Sequence, residues 1–214
     1  MKKYGVYIAI EGVDGSGKST LFENIFLRLK DENFYFDVYC PTKIINSKSV
    51  IESIYKRFFF LQNNSYFKAI VYAIRYYKAS SKVNWNADLI LGDRSLVTCY
   101  VARWKKWFNS VFLTSLFVNF LQPKIKSPDY VLFLKIAPDI LKERLSGREF
   151  NIDETPERSN DMLIAYQEIQ SGNLINRLKH VKWIEIDADK TPTTLTNDVM
   201  EIIKKIINDE KNFR

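Results

Sequence analysis

The stretch Gly12-Val-Asp-Gly-Ser-Gly17-Lys18-Ser19, set between an apolar run (YGVYIAI) and a helical one (TLFENIFLRL), constrains this chain more than any other part of it. G-x-x-x-x-G-K-[ST] between a strand and a helix describes a loop whose backbone N–H groups curl around phosphate oxygens. Gly12, Val13, Asp14, Gly15, Ser16 and Gly17 form the cradle. Lys18 offers a point charge to β- and γ-phosphates, and the Ser19 hydroxyl can ligate Mg²⁺. With Thr20, these residues open a helix whose N-terminal dipole favours anions. Mg-ATP is the expected ligand. The loop alone leaves the reaction open, because kinases, motors and switches all use it.

The rest of the chain repeats the same alternation. Short β-branched and aromatic runs read as strands at Tyr4–Ile10, Phe34–Cys40, Asp88–Gly92, Tyr130–Ile136 and Lys182–Asp187. Helical patterns cover Lys18–Glu32, Ser47–Leu61, Tyr66–Lys82, Leu96–Leu121 (with a break near Asn109–Ser110), Pro138–Leu145, Pro156–Leu178 and Pro192–Asn208. Pro138 and Pro192 sit just inside helix starts, where the missing N–H costs nothing. The expectation is an α/β fold, a five-stranded parallel sheet flanked by helices. Ligands in such folds bind beyond the carboxyl ends of the strands. With 214 residues and no Gly/Pro-rich linker, one domain over residues 1–214 accounts for the whole chain.

Composition removes several classes. Lys and Arg exceed Asp and Glu by 32 to 25, a net charge of +7, but they are scattered among acids and form no stripe. A polyphosphate partner fits that balance better than a nucleic acid. Cys40, Cys99 and the single His180 lack metal-site spacing, which excludes zinc chemistry and a Cys/His nucleophile pair. Both thiols are expected to be buried and reduced. MKKYGVYIAI has too short an apolar stretch for a signal peptide, and no run reaches membrane-spanning length. The expected location is cytoplasmic, with no membrane partner.

Ala9–Thr20, AIEGVDGSGKST, resembles the start of thymidylate kinases, F-x-E-G-x-[DE]-G-x-G-K-[ST]-T. Leu91–Arg94 ends an apolar strand in Gly-Asp-Arg, similar to the family's Asp-Arg-Tyr. PDYVLFLKIAPDILKER at 128–144 resembles its P-D-strand-P-helix-R segment, and IEIDADKTPTTL its last strand and loop. The resemblance implies the P-loop kinase fold with a mobile lid at about 146–157. It also implies transfer of the ATP γ-phosphate to a deoxynucleoside monophosphate, dTMP being favoured. Asp93, at the end of its strand, can reach the Mg²⁺ shell or the transferred phosphoryl, unless it merely caps the next helix. Arg94 can bridge donor and acceptor phosphates, or pair with a neighbouring carboxylate.

On the acceptor side the resemblance gives Asp14 the deoxyribose 3′-hydroxyl. It puts Lys43 on the monophosphate, Arg75 on the acceptor nucleotide, and Thr98 at a small hydroxyl position. Arg144 and Arg148, with SGREFNIDETPER, fall where the resemblance implies the lid, Arg144 toward ATP. Ser16 means that the loop carries no arginine of its own, so Arg148 is the cation best placed for the transition state. Three departures concern the base: Val71 stands where the family has a stacking Phe, Ser95 where it has Tyr, and Ala102-Arg103 where Tyr-Gln is common. Trp104, Trp107 and Phe108 either pack in the core or form a homodimer interface. Two rivals remain. A deoxyribonucleoside kinase would need a general base after the second strand, where CPTKII offers Lys43. A non-catalytic ATP-binding or switch protein would have no use for Asp93, Arg94 and Arg148 together.

Overall fold

The computed structural model describes residues 5–42, 57, 65–104, 110–146, 156–171 and 175–212. The strands are β1 (Val6–Gly12), β2 (Phe36–Tyr39), β3 (Leu89–Asp93), β4 (Tyr130–Lys135) and β5 (Lys182–Asp187). They form one parallel sheet in the order β2-β3-β1-β4-β5. The helices are α1 (Lys18–Asp31), α2 (Ser65–Lys82), α3 (Leu96–Val101), α4 (Val111–Leu121), α5 (Pro138–Ser146), α6 (Pro156–Ser171) and α7 (Pro192–Asn212). Three of them, α5, α6 and α7, begin on proline, as its fixed φ favours.

Burial explains why the sheet is parallel and central. Every residue of β1 and β3 is buried, while the edge strands β2 and β5 are largely half-buried or exposed. Strands covered on both faces read as continuous apolar runs, as VYIAI and LIL do. Helices α1 and α7 pack together, held at one point by Asn24 donating to Thr196 Oγ1 at 3.2 Å and at another by Arg28 donating to Asn197 at 2.8 Å. At the amino end of the sheet, Asp129 accepts the Tyr7 N–H at 2.7 Å, and its own N–H donates to Tyr7 O at 2.8 Å. The Pro128-Asp129 pair therefore joins β4 to β1 at the end remote from the phosphate loop.

Some boundaries differ from expectation. Asp93 is the last residue of β3 rather than the first after it. The helical stretch expected over Leu96–Leu121 with a break near Asn109–Ser110 is two helices, but the first, α3, already stops at Val101; α4 starts with Ser110 as its cap, accepting the Leu113 N–H at 3.4 Å. α6 ends at Ser171, ahead of Gly172 and Asn173 in the sequence, and a 3₁₀ turn follows at Asn176–Leu178. The expected helix Ser47–Leu61 lies outside the described residues except for Arg57. Cys99 is buried as expected, but Cys40 is only half-buried.

Gly92 shows how tightly the sheet carries its aromatic cover. A Cβ there would lie 2.8 Å from Tyr7 Cε2 and 3.2 Å from its hydroxyl. The Tyr7 ring cannot retreat easily, since Tyr39 and Trp85 meet it edge-on at 5.7 and 5.6 Å. Gly92→Ala should cost about 1–3 kcal/mol of stability, the usual range for overpacking. Urea denaturation measures it, and an unchanged midpoint would mean that the ring moves aside freely.

Candidate functional site

The register of β1 on β3 sets Ile10 opposite Asp93, so Asp93 leaves the sheet where the phosphate loop begins. The loop turns through Gly12, Gly15 and Gly17 at φ of +150°, +88° and +91°. Gly15 also has no room for a side chain, because a Cβ would lie 2.7 Å from Leu141 and 3.1 Å from Leu145 of α5. Val13 and Ser16 are fully buried beneath the turn. Gly17 caps α1 in the left-handed conformation, with no side chain capping the helix and no acidic residue in its first turn. A helix start without a side-chain acceptor is a place for an external anion.

Charge is concentrated just above this loop. Lys18 is buried, and its ammonium group donates to Val13 O and lies 3.7 Å from Asp14 Oδ1. Arg94, held at φ +70°, donates from Nη2 to the same Asp14 oxygen. One carboxylate thus faces two cations. Burial pushes the Asp14 carboxyl up, but the Arg94 and Lys18 charges and the Arg94 hydrogen bond outweigh it and hold it below the ordinary range. Burial pushes Lys18 down to about 7, with the Arg94 charge adding to the effect and Asp14, Glu11 and Asp93 opposing it. For Arg94, burial works against the charge, yet the Asp14 carboxylate wins and raises the guanidinium above its usual range.

Other expected residues fall around this cluster. Thr98, on α3, donates to Glu11 Oε2 at 2.6 Å. Arg144, on α5, donates to Ala188 O at 3.1 Å, and its Nη1 lies 3.7 Å from where a Gly17 Cβ would be. It bridges the β5–α7 loop and the phosphate loop. Ser19 and Thr20 are exposed in the first turn of α1. Asp93 is buried and does not cap α3; Ser95 does, its hydroxyl accepting the Val97 N–H at 3.1 Å. On α2, Arg75 sits over the Tyr72 ring at 5.1 Å, and Val71 is 1% exposed. The neighbouring Tyr76 ties that helix to the site by donating to Ser95 O at 3.0 Å. Lys43 and Arg148 lie outside the described residues.

Three residues were missed. Glu11 is completely buried and accepts four hydrogen bonds, one of them from the Tyr166 hydroxyl at 2.9 Å. A carboxylate ending an apolar strand was the visible signal, since an acid in such a run needs partners. Tyr166 carried none, being one apolar-face residue among many. Arg158, half-buried in the first turn of α6, adds its charge to those lowering Asp14. It lies in the same arginine-bearing segment that directed attention to Arg148.

Residues 10–199 match the thymidylate kinase family. The chain belongs to that family. Over 206 residues it is 24% identical to a thymidylate kinase of Leptospira borgpetersenii serovar Hardjo-bovis (strain L550), the match covering 95% of each. Its fold is that of thymidylate kinase from Candida albicans, at a TM-score of 0.63 and 18% identity, over 96% of this chain and 93% of the other. That fungal enzyme is described as having broad substrate specificity and a novel structural element. Membership carries with it ATP-dependent phosphoryl transfer to a nucleoside monophosphate. It leaves the nucleoside-kinase and non-catalytic alternatives without support.

A thymidylate kinase needs a donor site for ATP, and the uncapped helix start, the three left-handed glycines and the buried Lys18 suit it. Among the described residues no group of three or more His, Cys, Asp or Glu could hold a metal ion by itself. Mg²⁺ on Ser19 and Asp93 would accordingly take its remaining ligands from phosphate oxygens and water, and would supply charge neutralisation there.

Lys18 is expected to serve catalysis at the expense of the resting protein, since a buried ammonium group loses its hydration. Lys18→Met should fold with an unchanged or higher melting temperature while phosphoryl transfer falls by at least about 10²–10³-fold. Thermal unfolding and a coupled kinase assay read the two effects. Near-normal turnover would remove Lys18 from the chemistry, and a large fall in melting temperature would show that its charge stabilises the fold.

Proposed function

We propose that this chain transfers the γ-phosphoryl group of Mg-ATP to dTMP, giving dTDP and ADP, in the cytoplasm. The observation that carries the proposal is the pair of cations sharing Asp14, Lys18 on the loop side and Arg94 from the turn after β3. Phosphoryl transfer asks for little covalent chemistry and much charge stabilisation. An oxygen of the acceptor phosphate attacks the γ-phosphorus as the bond to the β–γ bridging oxygen breaks, and no general base is needed. In this mechanism Lys18 holds the donor phosphates and Arg94 spans donor and acceptor. Arg148 covers the transferring group from the lid at about 146–157, and Arg144 contacts ATP. Lys43 and Arg75 hold the acceptor phosphate, Asp14 takes the 3′-hydroxyl, and Thr98 stands beside it.

Base selection follows from the changed pocket. Val71 removes an aromatic stack worth about 0.5–1.5 kcal/mol beyond its area, equal to roughly one order of magnitude in affinity. Ala102 and Arg103 replace a tyrosine and an amide. A coupled assay across nucleosides and monophosphates tests the acceptor. We expect activity on dTMP and at least one other pyrimidine monophosphate, with none on thymidine, because unpaired cations penalise a missing phosphate severely. Phosphorylation of thymidine without dTMP would overturn the assignment, and strict dTMP specificity would reject the role given to Val71.

A homodimer is the second part of this proposal. Phe112, Leu116 and Phe120 follow one another along a single face of α4 and are 68%, 52% and 81% exposed, with Leu113 beside them at 45%. Trp104 is buried and does not contribute to that face, and Trp107 and Phe108 lie outside the described residues. An apolar stripe of this kind is more often covered than left in water. Light scattering should find a dimer that Phe120→Glu converts to monomer. A monomeric wild-type chain would reject it.

A further inference from the structure

Glu11 takes no part in the phosphoryl transfer described above, yet it is completely buried and accepts four hydrogen bonds. Its Oε1 accepts from the Ser95 N–H and the Ser95 hydroxyl, both at 2.7 Å. Its Oε2 accepts from the Thr98 hydroxyl at 2.6 Å and the Tyr166 hydroxyl at 2.9 Å. A buried carboxylate is tolerable only when so surrounded. The donors come from the turn after β3, from α3 and from α6, so one side chain fixes three elements to the end of β1.

Arg94 sits in the middle of that turn. A residue with a Cβ at φ +70° costs roughly 1–2 kcal/mol relative to the right-handed region, and such strain persists only where surroundings over-determine it. Here two successive amides are clamped to two successive residues of β1: the Arg94 N–H donates to Ile10 O at 3.3 Å, and the Ser95 N–H donates to the Glu11 carboxylate. The carbonyl on the far side, Ser95 O, is held by Tyr76. With both flanks fixed, the Arg94 side chain is turned back across the phosphate loop onto Asp14.

We propose that Glu11 is the positioning residue for Arg94, and that Tyr166 extends the same clamp to α6. The inference rests on the role in phosphoryl transfer proposed for Arg94, and a kinetic double-mutant cycle separates the two. Glu11→Gln keeps the shape and removes the charge; it should lower kcat by about 10- to 100-fold, the scale of a misplaced catalytic group. KM for ATP should stay close to wild type, because the loop cradle is untouched. Tyr166→Phe keeps its ring against Phe133, with centroids 4.8 Å apart, and should lower kcat by a smaller factor at an unchanged melting temperature. Glu11→Gln combined with Arg94→Ala should be no slower than Arg94→Ala alone, since a residue acting through another has nothing left to act on.

Losses that multiply in the double variant would overturn the inference while leaving the role of Arg94 intact. A wild-type kcat in Arg94→Ala would overturn that role, and this inference with it. A wild-type kcat in Tyr166→Phe would overturn the extension to α6. Should Glu11→Gln fail to fold, Tyr166→Phe completes the same cycle against Arg94→Ala, with multiplying losses again the result that overturns it.

Discussion

An ammonium group taken out of water has to be answered by nearby charge, and much of this site is the answer to Lys18. Its side chain is 7% exposed, at the foot of a helix whose own dipole already repels cations. Asp14 stands 3.7 Å away, but Asp14 is also bonded to Arg94, so neither cation has the carboxylate to itself. Glu11 and Asp93 contribute less. Burial is the larger effect on Lys18, and a polyphosphate would bring further negative charge to it. Asp14, Glu11 and Asp93 are what the fold itself sets against an unhydrated cation, while the Arg94 charge works against it.

How much of this the sequence disclosed depends on the range of the interactions involved. The loop from Gly12 to Thr20 was legible because its chemistry is local: each residue acts on its own stretch of backbone. The sheet was legible from the apolar runs of β1, β3 and β4. The split between α3 and α4 was placed at Ser110, where the cap is, but Val101 ends the first helix earlier than periodicity suggested. The pairing of Arg94 with Asp14 was an open alternative, since nothing in a sequence says which of several acids an arginine will meet 80 positions away.

Glu11 and Tyr166 were harder for the same reason. They are 155 residues apart and acquire meaning only when α6 folds back over the end of β1. Tyr166 looks apolar in a helical pattern and is polar only at its tip, which is where it matters. The motif at 128–129 belongs to the scaffold instead. It helped to carry the family resemblance, yet Asp129 fastens β1 to β4 at the amino end of the sheet, away from the chemistry. Recurrence in a family pattern therefore points equally to a site and to the seam that keeps the site's scaffold in register.

The parallel order has a consequence for the approach of ligands. β1, β3, β4 and β5 each lead into a helix, α1, α3, α5 and α7, that starts at the same edge of the sheet. Four helix starts thus present their partial positive charge to one side of the molecule. Their summed dipoles favour anions at that edge. Capture of nucleotides from solution then begins before any of the named side chains is touched, and salt should govern how fast they arrive more than how well they fit.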